Sequence, residues 1–253
     1  MTISTVNGVS VTAMCSVLPA TSIDNISLKS QFSEGELEKI IASTGIKQRR
    51  IVKNDAEQTI TALTLGRYAA NSLLDKIELP RSDIGLVIFV TQTPDFTFPG
   101  NAVQLQHHLG LAKSCIAFDV NLGCSGFVYG LWQAAQLLKS IDAHSALLVL
   151  GDTTSTQYDS ANSKVNTLFG DAASAVILSK SKADQSLCFD LGSDGSGAPY
   201  LIQSAGGALH PNQAPKLSMD GTQVFAFTLR EVPKSIQACL QAKDWAVGQI
   251  DYA

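Results

Sequence analysis

The chain has 253 residues, 45% hydrophobic and 16% charged, enough to bury one large core or two small ones. A formal net charge of −4 excludes the basic footprint of a nucleic-acid or anionic-membrane binder. Its apolar runs all fall short of the roughly 20 residues that span a bilayer, so neither nucleic acid nor membrane is expected as a partner.

The start, "MTISTVNGVSVTAMCSVLP", lacks the basic region and long apolar core of a signal peptide. Within it, "VSVTAMCSVLP" reads as a first strand stopped by Pro19. "SEGELEKIIASTG" reads as a helix closed by Gly45, in the usual position of a C-terminal cap. "EQTITALTLGRYAANSLLDKI" carries an irregular helical stripe of Ile60, Leu63, Tyr68, Leu73, Leu74 and Ile77. "IGLVIFVTQ" is a continuous β-branched run, as in a strand covered on both faces. A short helix, "NAVQLQHHLGL", and another buried strand, "CIAFDV", follow. Residues 125–140 form an apolar helix, and "ALLVLGD" and "AASAVIL" are two further buried strands. "TQVFAFTLREVPKSIQACLQA" is helical, with Pro233 expected to kink it or cap a second segment. "DWAVGQIDYA" reads as the lead-in to another strand. Strands without alternation, separated by helices, indicate an α/β protein with a mainly parallel sheet and helices on both faces.

The five cysteines (15, 115, 124, 188 and 239) are scattered and form no C-x-x-C pair. That pattern points to neither a zinc site nor a disulfide framework, and a reducing, cytoplasmic setting is the simplest reading. Cys124 differs from the rest. It sits in "NLGCSGF", at a strand-to-helix turn. A helix N-terminus favours thiolate over thiol, and the thiolate is the nucleophile. Gly123 and Gly126 permit a tight turn and a close substrate approach, and the Cys124 amide becomes a candidate oxyanion donor. The residues alone fit a covalent acyl-transfer nucleophile and a small packed cysteine equally well. The nucleophile elbow of α/β-hydrolases is excluded, because Leu122 and Phe127 stand where it needs glycine.

Other groups carry less. His107 and His108 are neighbours on one short helix and face different ways. His144 follows a helix end, and His210 lies in a Gly/Pro-rich loop with nothing to select it. "GSDGSG" at 192–197 has neither dinucleotide spacing nor a P-loop lysine. Asp171, just before a buried strand, reads as a maker of turn hydrogen bonds rather than a catalytic acid.

Five segments in order, "TGIKQRRI", "FPGNAVQLQHHLG", "AFDVNLGCSGFVYGL", "TLFGDAASAVIL" and "LSMDGTQVFAFTL", resemble those of the β-ketoacyl-acyl-carrier-protein synthase III family, of the thiolase fold. The resemblance runs from about Val9 to the last residue. It implies a complete N-terminal thiolase-like half (1–180) and the beginning of a C-terminal half (181–253). It also implies a homodimer in which Cys124 takes an acyl group from an acyl-CoA or acyl-carrier thioester. A malonyl-type thioester on acyl carrier protein would then lose CO₂ and attack to give a β-ketoacyl product. No bound cofactor or metal is implied. By position Phe98 would line the acyl pocket of a neighbouring subunit, and Gly221 would border the pantetheine tunnel.

Two departures follow from the same resemblance. The family's His and Asn, which complete a Cys-His-Asn set, would fall beyond Ala253, so a truncated synthase is expected. Acyl transfer to an oxygen or nitrogen nucleophile, or a non-catalytic partner chain, are then the alternatives. Lys39, Ser43 and Ser163 stand where members clamp the adenine of coenzyme A with a Trp and two Arg, which favours a carrier-borne donor or a relative working in polysaccharide or secondary-metabolite assembly. Ala172 and Ser174 replace glycines and require a backbone with φ below zero.

Overall fold

The structure, a computed structural model, describes residues 2–55, 59–158, 163–181, 185–214 and 216–252. In chain order the strands and helices are β1 (Thr2–Asn7), β2 (Val9–Val17), β3 (Ser22–Asp24), α1 (Glu36–Thr44), β4 (Gln48–Arg50), α2 (Ala62–Ile77), β5 (Ile84–Val90), α3 (Asn101–His108), β6 (Ile116–Val120), α4 (Gly126–Ser140), β7 (Ser145–Asp152), α5 (Ser163–Asn166), β8 (Ala172–Lys180), β9 (Ser186–Leu191), β10 (Leu201–Gln203), β11 (Leu217–Met219) and α6 (Gly221–Lys243). They divide into two compact units, residues 11–180 and residues 1–10 with 181–253.

The larger unit is built on a five-stranded sheet in the order β2-β8-β7-β5-β6. β5 pairs parallel with β6 and β7, and β7 pairs antiparallel with β8, so the sheet is mixed. Strand alternation separates its two faces. Val87, Phe89, Leu147, Val149, Ala175 and Ile177 point into a core shared with Ala69, Ala70, Leu73 and Leu74 of α2 and Ala102 and Leu105 of α3. Val90 and Leu148 point the other way and meet α4. β5 is buried almost throughout, as its apolar run predicts. β6 is not. It ends the sheet order, and Ile116 is 43% exposed. "CIAFDV" is therefore an edge strand rather than the buried one expected, because only one neighbour covers it.

Local signals explain most boundaries. Gly45 closes α1 with φ 72°, and its amide donates to the Ile41 carbonyl. α2 starts only at Ala62, because Thr61 is the N-cap and accepts from the Thr64 amide at 3.2 Å. Tyr68, placed on the buried stripe from sequence, is 53% exposed. Ala172 and Ser174 lie in β8, and the only non-glycine residues with positive φ among those described are Glu78 and Asp244. The replaced glycines therefore leave no strain.

Arg49 of the "TGIKQRRI" segment is buried and works as a brace. Its guanidinium donates to Asn25 Oδ1 at 2.7 Å, the Tyr158 hydroxyl at 3.1 Å and the Phe169 carbonyl at 3.2 Å.

In the smaller unit β1 and β9 form an antiparallel pair, from Thr2↔Leu191 to Asn7↔Ser186. This ladder takes the first ten residues out of the 1–180 half that the sequence suggested. β10 and β11 form a second antiparallel pair, and α6 packs against β9. α6 runs unbroken through Pro233 rather than splitting there. The carbonyl that Pro233 cannot bond belongs to Leu229, which is 62% exposed, so water can satisfy it. Residues 247–249, in the segment read as leading into a further strand, form a short 3-10 turn. No helix among the described residues is long and apolar enough to cross a membrane.

Candidate active site

Cys124 occupies a tight turn between β6 and α4. The turn is closed by the Gly126 amide, which donates to the Gly123 carbonyl at 2.7 Å. Cys124 is exposed, and among the described residues neither its thiol nor its amide has a hydrogen-bond partner. Ser125, at the N-cap of α4, makes no side-chain capping bond. Beyond Gly126, the Phe127 and Val128 amides of α4 remain available, and a helix N-terminus of this kind favours negative charge beside it.

Close packing of α4 on the sheet holds this turn in place. A Cβ built on residue 126 would stand 2.5 Å from Val90 Cγ1. One built on residue 130 would stand 2.9 Å from both Leu148 Cδ1 and Val90 Cγ2. Glycine at both positions lets the helix lie directly on β5 and β7.

A second loop approaches the cysteine from the end of β5. Asp152, the last residue of β7, collects four hydrogen bonds on Oδ1. Its donors are the Gln92 amide at 2.7 Å, the Thr93 amide at 3.0 Å, and the Thr91 and Thr93 hydroxyls, each at 3.0 Å. Burial pushes this carboxyl above its ordinary value, against the opposing effect of those bonds. The pinned turn lays the Gln92 side chain across Gly123, where an added Cβ would stand 2.6 Å from Gln92 Oε1. Sequence reasoning singled out neither Asp152 nor Gln92. The available signal was slight: each stands at the polar end of an apolar run, Asp152 as the last residue of β7 and Gln92 two residues past β5.

Asp119, near the end of β6, accepts from the Asn101 and Ala102 amides at 2.7 Å each and so caps α3. Asp171 is buried and accepts from the Val52 amide at 2.7 Å and the Ser155 amide at 2.8 Å. Its role is structural, as expected, but the bonds tie two distant segments rather than its own turn.

Of the other residues marked from sequence, Phe98 lies in the loop before α3 with 83% of its surface exposed. Gly221 begins α6 in the smaller unit, where Asp220 caps the helix through the Gln223 amide. Lys39 and Ser43 are exposed on α1, and Ser163 begins α5, its side chain lying outside the described residues. His107 and His108 are exposed in the last turn of α3, their rings 6.0 Å apart. His144 precedes β7, and His210 sits in an exposed turn of the smaller unit. A depression of about 540 Å³ lined by Asp24, Ile26, Ile41, Lys47 and Gln48 holds none of the residues around Cys124.

Residues 118–195, which include the whole Cys124 turn, match the family described as 3-oxoacyl-[acyl-carrier-protein (ACP)] synthase III. The β-ketoacyl-[acyl-carrier-protein] synthase III of Trichodesmium erythraeum is 34% identical over 254 residues, covering 97% of this chain and 75% of that protein. The chain belongs to the β-ketoacyl-acyl-carrier-protein synthase III family. The corresponding protein of Acaryochloris marina is 35% identical over the same share of this chain and 74% of its own length. Among solved structures, the 3-oxoacyl-(acyl-carrier protein) synthase of Burkholderia xenovorans superposes with a TM-score of 0.87 at 33% identity. That match covers 95% of this chain and 71% of that one. A synthase III of Pseudomonas aeruginosa superposes at 0.82 with 29% identity, over 98% of this chain and 74% of that one. The family's thiolase-like fold is thus the fold of this chain, which spans about three quarters of the length of these synthases.

Proposed function

We propose that Cys124 is the acyl-carrying nucleophile of a 3-oxoacyl-acyl-carrier-protein synthase acting in fatty-acid or related biosynthesis. The observation that carries this is the free, exposed thiol at the uncapped N-terminus of α4. The Cys124 sulfur, having given its proton to solvent, attacks as the thiolate on the carbonyl carbon of an acyl-CoA or acyl-carrier thioester. Negative charge moves onto the carbonyl oxygen, and the unpartnered Cys124 amide is placed to receive it. Collapse expels the carrier thiolate and leaves an acyl-cysteine. A malonyl-type thioester on acyl carrier protein then loses CO₂, and its carbanion attacks the acyl-cysteine carbonyl. The β-ketoacyl product departs on the carrier, and the thiol is regenerated.

Intact-mass and peptide analysis after incubation with an acyl thioester tests this. One acyl mass is expected on the peptide holding Cys124, and none on Cys124→Ala. Label that persists on the alanine variant at the same rate would remove Cys124 from the mechanism.

A homodimer is part of the same reading. It is supported by the open edge of β6, the exposure of Ile116 and the outward-facing ring of Phe98. Phe98 would then line the acyl pocket of the partner, and Gly221 would border the pantetheine path. Light scattering should give twice the chain mass, and Ile116→Asp should give the monomer mass. A wild-type monomer at tens of micromolar would defeat the homodimer reading.

A further inference from the structure

Two cysteines outside the active site face each other within the smaller unit. Cys188 lies in the middle of β9 and Cys239 in the last part of α6. The Cys188 sulfur is 4.0 Å from the Cys239 carbonyl oxygen, and both residues are partly buried. A second contact fixes the same alignment: the Lys243 ammonium donates to the Ser186 hydroxyl. Ser186 and Cys188 are two apart on a strand, about 6.6 Å along one face. Lys243 and Cys239 are four apart on a helix, about 6.0 Å along one face. The two steps match when helix and strand run in opposite directions, so the 188 and 239 side chains meet by register and not by chance.

We propose that Cys188 and Cys239 form a reversible disulfide that ties α6 to β9, made by exchange with a low-molecular-weight disulfide such as glutathione disulfide. The Cys188 sulfur, as thiolate, attacks one sulfur of the oxidant. That S–S bond breaks and one glutathione thiolate leaves. Cys239 gives its proton to solvent, and its sulfur attacks the Cys188 sulfur of the mixed disulfide. The second glutathione leaves. Two protein thiols are oxidised and one glutathione disulfide is reduced to two glutathiones.

The surroundings set the order of these steps. Burial, the neighbouring Cys188 and the Asp190 carboxylate push the Cys239 thiol up to about 11. Cys239 is therefore the slow, resolving partner. Asp190 is the next residue on this face of β9, and its Oδ1 is buried without a hydrogen-bond partner among the described residues. The helix being tied needs such a link, since α6 contributes no fully buried residue. The other described cysteine thiols approach only carbonyls of their own neighbours (Ser16 for Cys15, Ile116 for Cys115), or, for Cys124, nothing.

The test equilibrates the full chain across glutathione buffers from reducing to oxidising, quenches with an alkylating agent and digests with trypsin. Peptides 183–216 and 235–243 each hold one cysteine. They are expected to appear joined, with the linked protein two hydrogens lighter than the reduced one. Cys188→Ser and Cys239→Ser should each abolish the linked pair and leave a glutathione adduct on the remaining cysteine. Thermal unfolding of the oxidised wild type should rise by about 5–10 °C, with no rise in Cys188→Ser. Exposed Cys124 reports that the oxidant acts. Separate glutathione adducts on 188 and 239 in the wild type would overturn the proposal. So would free thiols at both while Cys124 is modified, or a linked protein with no change in melting.

Discussion

Asp152 is a carboxylate set into the end of β7, where burial works against its charge and four donors work for it. Burial wins, so its folded pKa stands above the ordinary 3.8. An acid whose folded pKa is raised holds its proton more tightly in the folded than in the unfolded chain. Its contribution to stability is then greatest below about pH 4 and is lost as pH rises through the elevated value. Asp152→Asn keeps an oxygen acceptor and removes the titration. Urea midpoints from about pH 4 to 7 should therefore show the wild type losing ground to the variant as pH rises. A constant difference between the two would contradict this. The contrast with Cys124 shows what a sequence can carry at single positions. Cys124 announces itself locally, through flanking glycines and the start of an apolar helix. Asp152 does not, because its partners at 91–93 become neighbours only when β5 and β7 pair. Gln92 is hidden for the same reason.

The approach of α4 to the sheet belongs to secondary-structure packing. Gly130 lies against Val90 and Leu148, whose methyl carbons stand 2.9 Å from where a Cβ would be. Both are core branches with little room to retreat. Gly130→Ala should therefore destabilise the protein by about 1–3 kcal/mol, although alanine is the better helix former. A urea midpoint equal to wild type would show that the interface yields. Long apolar strands and capped helices are legible in sequence, and β5, β7, β8, α1, α3 and α4 follow their patterns closely. The short strands β1, β3, β4, β10 and β11 carry no such long pattern and form by pairing. "CIAFDV" illustrates the opposite error. An apolar run states what a strand can bury, not how many neighbours it will have.

The two units differ in how well their helices are covered. α4 buries Gly126, Gly130, Ala134, Ala135 and Leu138, whereas α6 buries none of its residues completely. Phe225, Leu229, Val232 and Ile236 of α6 are each about half exposed or more. Hydrogen exchange of the reduced chain should find α6 amides exchanging on the order of 100-fold faster than those of β5 and β7. Equal protection would mean that α6 opens only with the core. Five ordered motifs implied the architecture of the family across nearly the whole chain. They could not show that residues 1–10 join the smaller unit, since that depends on a strand pair far apart in sequence, from Thr2↔Leu191 to Asn7↔Ser186.

The missing cap at Ser125 sets stability against turnover. A capping side chain there is worth about 1 kcal/mol to a helix. α4 does without it, while Thr61, Asp119 and Asp220 supply equivalent oxygens to α2, α3 and α6. A side-chain acceptor aimed from 125 at the Phe127 or Val128 amide would harden the fold against heat, and it would offset part of the positive charge that the helix end presents to the Cys124 thiolate. Selection for a hotter or longer-lived enzyme must therefore act elsewhere in the molecule, because at this turn thermal robustness and thiolate stabilisation draw on the same uncapped helix end.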